Sequence, residues 1–130
     1  LCQAFPSVHV LRDPTRGGLA TTLAEIAAQS QVNITLEESA IPIDQPVRKA
    51  CELLGLDPLY LANEGKMIVI LPEDDANDAL SYLHTKRYGE GAQLIGKVSA
   101  MPAGQVWLHT PLGTTRVLEM LAGEMLPRIC

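Results

Sequence analysis

The alternation of apolar and polar positions along the chain predicts several strands. Residues 32–37 alternate strictly, which is typical of a strand with one covered face, and Val32, Ile34 and Leu36 are its inward side chains. The apolar run at 66–71 is continuous instead, which indicates a central strand. Further strands are predicted at residues 8–11, 93–98 and 105–109, and the last two form a hairpin with a longer loop.

Apolar residues at helical spacing predict three helices, at about 14–28, 46–54 and 73–87. Gly55 ends the second helix, and the acidic cluster at residues 73–75 suits the positive start of the third. On the first helix Thr21, Thr22, Glu25 and Gln29 form the polar face. The inward residues are Leu19, Leu23, Ile26 and Ala27 in the first helix, Val47, Ala50, Cys51 and Leu54 in the second, and Ala76, Ala79, Leu80 and Leu83 in the third.

The order of these elements bounds the fold class. Strands alternate with helices until a final pair of strands, so the pattern predicts a mixed sheet covered by helices, α+β or α/β in class. With 130 residues, of which 47% are hydrophobic, the chain can bury one core and is expected to form one main domain.

Charge and composition exclude some functions. The net charge of −5 with few aromatic residues leaves neither a basic stripe nor a stacking platform, so nucleic-acid binding is not expected. No apolar run has the length of a membrane span, and the first residues do not resemble a signal peptide, which predicts a cytoplasmic protein. Leucine rather than methionine at position 1 hints at a longer parent protein.

Cysteine and histidine spacing predicts no disulfide framework and no structural metal site. The three cysteines stand at positions 2, 51 and 130 without a CxxC pair, and the three histidines fall in separate elements. Cys51 lies on the predicted inward face of its helix, where a free thiol behaves as a small apolar group.

The turn Asp13-Pro14-Thr15-Arg16-Gly17-Gly18 joins the first strand to the first helix. Asp13 and Thr15 are candidate caps, and Pro14 suits a first helical position. The two glycines let backbone amides approach a ligand, and Arg16 adds a forked donor for phosphate or carboxylate. The alternative is that this segment is only a capped helix entry.

Two further segments carry groups with chemical potential. Asn63-Glu64-Gly65 places a carboxylate just before a predicted strand, where Glu64 is either a general base or a solvated loop acid. The chain ends at Cys130, which is either a stray surface residue or a thiol delivered to a distant site by an extended C-terminal segment.

Four motifs together resemble a known family. Residues 13–19, 62–66 and 96–98 and the terminal Pro-Arg-Ile-Cys of residues 127–130 are similar to the C-terminal half of the HypE family of NiFe-hydrogenase maturation factors. That family belongs to the aminoimidazole ribonucleotide synthetase (PurM-like) superfamily, so the resemblance implies an α+β fold with a mixed sheet covered by helices. It also implies a domain at residues 1–116 and a C-terminal tail at 117–130 that carries the terminal cysteine.

The resemblance implies a defined reaction. In the family, the carbamoyltransferase HypF loads a carbamoyl group onto the terminal cysteine, and the factor uses ATP to dehydrate it to a thiocyanate. The cyano group then passes to a scaffold complex of HypC with HypD and becomes a cyanide ligand of the hydrogenase iron. ATP and Mg²⁺ are bound mainly by an N-terminal domain that has no counterpart here, and that domain also makes the main dimer surface.

Carried onto this chain, the resemblance implies that Cys130 is the covalent carrier and that Glu64 removes protons. The phosphate side of the cleft is implied to be lined by Asp13, Thr15, Arg16, Gly17 and Gly18. Two alternatives remain open. The chain could be a non-catalytic module that binds partners and presents a tail, or half of another enzyme of the superfamily such as selenophosphate synthetase.

Overall fold

The structure, a computed structural model, describes residues 1–121 and consists of three helices, a four-stranded sheet and a two-stranded ribbon. The predicted α+β class is confirmed. A 3₁₀ turn at Pro58–Tyr60, called here the 58–60 turn, packs against the first and second helices. The helices are α1 (Gly18–Ser30), α2 (Gln45–Leu54) and α3 (Glu73–His84), and the strands are β1 (Val10–Arg12), β2 (Asn33–Glu37), β3 (Ile68–Ile70), β4 (Gly96–Ser99), β5 (Gln105–His109) and β6 (Thr115–Leu118).

The four-stranded sheet has the order β4-β2-β5-β6, with β2 parallel to β5 and the other pairs antiparallel. The predicted hairpin of the two late strands is therefore wrong, because β2 lies between β4 and β5. The connection between them passes the start of β2, where the Gly104 N–H donates to the Val32 carbonyl at 2.8 Å. The loop between β4 and β5 is long enough to cross another strand. The spacing of residues in the sequence does not show that β2 lies between them.

The ribbon pairs β1 with β3 in antiparallel register, so that Val10 faces Ile70 and Arg12 faces Ile68. The prediction of a central strand at 66–71 is wrong. Only three residues of that run are in a strand, and Met67 is 59% exposed. A continuous apolar run indicates that a segment has apolar surroundings. In this segment those surroundings come from packing at the side of the core and not from a strand on each side.

The core lies between α1 and the inward face of the sheet. Ile34 and Leu36 of β2 are buried as predicted, and Val32 packs partly buried against them. Burial of Leu23 and Ala27 of α1 is also confirmed. Thr22, which was predicted on the polar face, is buried instead because α1 is packed by the 58–60 turn as well as by the sheet, and its hydroxyl donates to the Gly18 carbonyl at 2.9 Å.

Helix α2 agrees with the prediction in its ends but not in its burial. Gly55 ends it in a left-handed conformation, and Cys51 is buried with 3% exposure. The rest of the predicted inward stripe is not covered: Val47 is 43% and Leu54 is 67% exposed. Because α2 packs chiefly on the 58–60 turn, only the side chain facing that turn is enclosed.

Helix α3 begins with the predicted acidic turn of Glu73, Asp74 and Asp75, which favours the positive helix end. It ends at His84, three residues before the predicted end at 87. The pair between Lys97 and Glu73 has both side chains mostly exposed, so it adds little stability. These charges therefore act on the helix and the surface, as the sequence indicated.

Strand β6 was not predicted. It pairs with β5 through residues 115–118, and Leu118 is 2% exposed. The sheet thus continues two residues past the predicted domain end at 116, while the division into a domain and a tail stays a prediction. Residues 122–130, including Cys130, lie outside the described part of the chain.

Candidate functional site

Two motifs that are far apart in sequence meet at one end of the ribbon. Because Arg12 pairs with Ile68, the segment after β1 and the segment before β3 leave the ribbon side by side. The Asn63 N–H donates to the Pro14 carbonyl at 3.0 Å, which joins the two segments directly. The turn at 13–18 and the loop carrying Glu64 therefore form one surface, called here the ribbon-end site.

The start of α1 differs from the prediction. The helix begins at Gly18, its N-cap is Gly17 with φ +64°, and no side chain caps it. Asp13 and Thr15 are therefore not caps, and Pro14 is not in the helix. Residues 15–17 form a turn first, and the left-handed conformation of Gly17 redirects the chain into α1.

At Gly18 the backbone of another segment passes very close to the start of α1. A Cβ there would lie 2.4 Å from the Leu59 carbonyl oxygen and 2.6 Å from that of Leu61. The chain at 59–61 thus passes directly over the first residue of α1. Carbonyl oxygens repel anions, so a phosphate at the first amides of α1 has to approach from the side of residues 13–17.

We expect Gly18→Ala to destabilise the chain far more than Gly55→Ala. Both glycines have similar positive φ, +67° and +68°, but a Cβ at Gly55 meets nothing within 4 Å. The left-handed conformation alone costs alanine about 1–2 kcal/mol, and overlap with fixed backbone at Gly18 adds about 1–3 kcal/mol. Urea unfolding of both variants measures the difference. Equal losses would show that the chain at 59–61 moves away easily.

The predicted site residues differ in exposure. Asp13, Arg16 and Glu64 are exposed, Thr15 and Gly17 are partly buried, and Gly18 is buried. Within residues 1–121, the side chains of Asp13, Arg16 and Glu64 form no hydrogen bond or ion pair. The surface therefore presents two carboxylates and a guanidinium to a ligand. It is open, and a second surface is needed to exclude water from it.

The 58–60 turn, which links the two motifs, was not predicted from the sequence. Asp57 caps it, since its Oδ1 accepts from the Leu59 N–H at 2.9 Å, and Pro58 follows at the first position. The dipeptide Asp57-Pro58 was the signal for this turn, since aspartate before proline is typical of a helix start.

A separate depression of about 360 Å³ lies between α2 and the 58–60 turn. It contains none of the predicted site residues, and the buried Cys51 is part of its wall. The charged groups that line it are Glu38, Arg48, Glu52, Asp57 and Arg116.

Two further findings concern metals and membranes. In the described part of the chain, no three histidine, cysteine or acidic side chains converge in a way that could hold a metal ion. None of the helices described is long and apolar enough to cross a membrane.

Comparison with known families identifies this architecture. The model of the family "AIR synthase related protein, C-terminal domain" matches residues 1–109. The chain belongs to this family. The match covers both segments of the ribbon-end site and the sheet as far as β5, so the fold expected from the motif resemblance is confirmed.

Curated members named "Carbamoyl dehydratase HypE" are similar over nearly the whole chain. The protein from Azotobacter vinelandii is 51% identical over 127 residues, which is 98% of this chain and 37% of that protein. The protein from Cupriavidus necator is 52% identical over 125 residues, 96% of this chain and 36% of that protein. The resemblance to HypE is thus confirmed, and the chain spans little more than a third of these relatives.

Solved structures of HypE have the same fold. A crystal structure of the hydrogenase maturation protein HypE is 57% identical, with a TM-score of 0.89 over 95% of this chain and 40% of the other. HypE in complex with ATP gives a TM-score of 0.87 at 56% identity, over 95% and 38%. The HypE–HypF complex gives 0.85 at 39% identity, over 92% and 39%.

Proposed function

We propose that this chain forms the C-terminal part of a carbamoyl dehydratase that acts in hydrogenase maturation. The observation that carries the proposal is the identity of about half of all residues, along almost the entire chain, to relatives named for that activity. The ribbon-end site supports it, since the structure joins the two motifs on which the resemblance depends.

The proposed reaction converts an S-carbamoyl group on Cys130 into a thiocyanate. ATP phosphorylates the carbamoyl oxygen, and the nitrogen gives up one proton as the imidate forms. Loss of phosphate and of the second N–H proton then makes the C≡N bond, so that the carbamoyl oxygen leaves as phosphate and ATP becomes ADP. Phosphorylation is needed because hydroxide is a poor leaving group at neutral pH.

The roles of the residues follow from this chemistry. Cys130, which lies outside the described residues, carries the group through its Sγ. Glu64 accepts a proton from nitrogen, and its exposed carboxylate has no partner among residues 1–121 that would compete. Arg16 balances charge that develops on the transferred phosphoryl group. The phosphate side of the site is proposed to consist of Asp13, Thr15, Arg16, Gly17 and Gly18.

Cofactors and partners are part of the same proposal. ATP is bound mainly by an N-terminal domain outside these residues, together with Mg²⁺, and a similar HypE protein has been solved with ATP. The carbamoyl group is proposed to come from the carbamoyltransferase HypF, which a HypE–HypF complex supports. The proposed acceptor of the cyano group is a HypC–HypD complex. The intact factor is proposed to be a cytoplasmic homodimer that binds neither nucleic acid nor membrane.

Mass spectrometry of the C-terminal peptide tests the proposal. The intact factor is incubated with the carbamoyltransferase, carbamoyl phosphate and ATP, and the peptide containing Cys130 is followed with time. We expect the mass of a carbamoyl group first and the loss of one water afterwards. A peptide that is never modified would instead favour a docking module that only presents this segment.

We also expect the isolated chain to fold but not to hydrolyse ATP. The ribbon-end site is open, and one surface with two carboxylates and one guanidinium does not bind and orient a triphosphate for reaction. Phosphate release from the purified chain, compared with the intact factor at equal concentration, measures this. Substantial ATP hydrolysis by the chain alone would place the nucleotide site within these residues.

A further inference from the structure

We infer that Tyr60 and Arg116 are positioning residues that fasten the beginning of the C-terminal segment to the ribbon-end site. This inference rests on the proposed function. The fastening takes place where the chain leaves the sheet after β6, and the 58–60 turn provides the surface to which it is fastened. The contacts that carry it all lie within residues 1–121.

The first contact is made directly after the last residue of the sheet. Leu118 is 2% exposed in the core, and the next residue, Glu119, donates its backbone N–H to the Tyr60 hydroxyl oxygen at 3.3 Å. Tyr60 is itself partly buried and packs against the core. The chain therefore leaves β6 against a side chain that has little freedom.

The second contact comes from the same strand. Arg116 donates through Nη2 to Asp57 Oδ2 at 2.7 Å, and the other Asp57 oxygen accepts from the Leu59 N–H. The Asp57 carboxylate is 25% exposed, so this pair is better shielded than the exposed pair of Lys97 with Glu73. One carboxylate thus joins β6 to the start of the 58–60 turn.

The chain at residues 59–63, which includes Tyr60, also belongs to the ribbon-end site. The carbonyls of Leu59 and Leu61 lie over Gly18, and Asn63 bonds to Pro14. Glu64 follows directly. The point at which the chain departs toward Cys130 is therefore fixed to the backbone that positions the proposed base.

A fixed starting point raises the local concentration of the terminal thiol at the site. From Glu119, fully extended residues reach roughly 40 Å, and the effective concentration of a tethered group falls as the free length grows. Releasing the contacts at Tyr60 and Arg116 lengthens the tether and removes its initial direction. Delivery of the carbamoylated cysteine becomes slower, while the site itself stays intact.

The test compares delivery in cis with delivery in trans. In the intact, carbamoylated factor, Tyr60→Phe and Arg116→Gln are each expected to slow single-turnover thiocyanate formation about two- to fivefold, and Arg116→Lys to restore most of the rate. In trans, the same substitutions are placed in a Cys130→Ala factor that receives a synthetic S-carbamoyl peptide of residues 122–130. We expect the trans rate to be unchanged.

A matched variant and a structural measurement complete the experiment. Tyr82→Phe removes a hydroxyl from α3, away from these contacts, and is expected to change neither rate. Hydrogen exchange at the Glu119 amide is expected to become faster in Tyr60→Phe but not in Tyr82→Phe. Unchanged exchange would show that the Tyr60 contact fastens nothing.

The outcomes separate this inference from the proposed function. If the unsubstituted factor makes no thiocyanate, the proposed function fails and the positioning role falls with it. If that factor is active but the variants match it in cis, only the positioning role is overturned. Equal losses in cis and in trans would also overturn it, because the residues would then act by shaping the site.

Discussion

Replacing Cys130 by alanine is expected to abolish thiocyanate formation in the intact factor. The proposed reaction builds the new C≡N bond on a group held by this sulfur, and a methyl side chain cannot form the thioester-like bond to the carbamoyl carbon. The expected effect is a loss of all modification of the C-terminal peptide, beginning with the carbamoyl stage. Intact-mass measurement after incubation with the carbamoyltransferase, carbamoyl phosphate and ATP detects both stages.

The other two cysteines provide the control. Cys2 is an exposed free thiol, whereas Cys51 is buried in the wall of the depression beside α2. Cys2→Ala is expected to leave both modification steps unchanged, because the proposed transfer depends on the C-terminal sulfur and not on thiol exposure alone. Carbamoyl or cyano masses that persist in Cys130→Ala would refute the covalent role of the terminal residue.

Replacing Glu64 by glutamine is expected to make the carbamoyl form accumulate. The amide has nearly the shape of the carboxylate but accepts no proton from the carbamoyl nitrogen, so formation of the phosphorylated imidate loses its base. Removal of a general base typically slows such a step about 10²- to 10⁴-fold. Loading by the carbamoyltransferase does not use this group and is expected to proceed at the normal rate.

Two measurements make this prediction specific. Peptide masses report the ratio of carbamoyl to thiocyanate forms, and ADP release reports whether the carbamoyl oxygen is still phosphorylated. Glu90→Gln removes a carboxylate that is also exposed, in the loop between α3 and β4, and it should behave like the unsubstituted factor. Unimpaired dehydration in Glu64→Gln would show that Glu64 is a solvated loop acid and not the base.

The candidate site was predictable in its parts but not in its assembly. The motif at residues 13–18 and the acid at Glu64 stand out in the sequence, because both combine glycine with groups that contact phosphate or accept protons. Their meeting depends on the antiparallel pairing of β1 with β3 and on the bond from Asn63 to Pro14. Neither contact has a local pattern, since the paired residues lie far apart in the chain.

The errors have a common physical origin. Helical spacing placed Val47 and Leu54 inside, although α2 packs chiefly on the 58–60 turn, which is too small to cover them. The two late strands have hairpin-like spacing, although β2 lies between them. In each case the sequence pattern predicts the secondary structure of the segment correctly. Which other segment packs against it, and therefore how buried it is, depends on the tertiary structure.

By itself the sequence determined the succession of helices and strands as far as β5, the inward residues of β2, the end of α2 at Gly55 and the residues that carry the family resemblance. These are properties of short segments, set by side-chain periodicity and by the backbone preferences of glycine and proline. Only the tertiary structure decided strand order, the crossing of the chain over Gly18 and the attachment of Glu119 to Tyr60. Such contacts form between distant segments, because each buried backbone or apolar group takes whichever partner the whole chain brings to it.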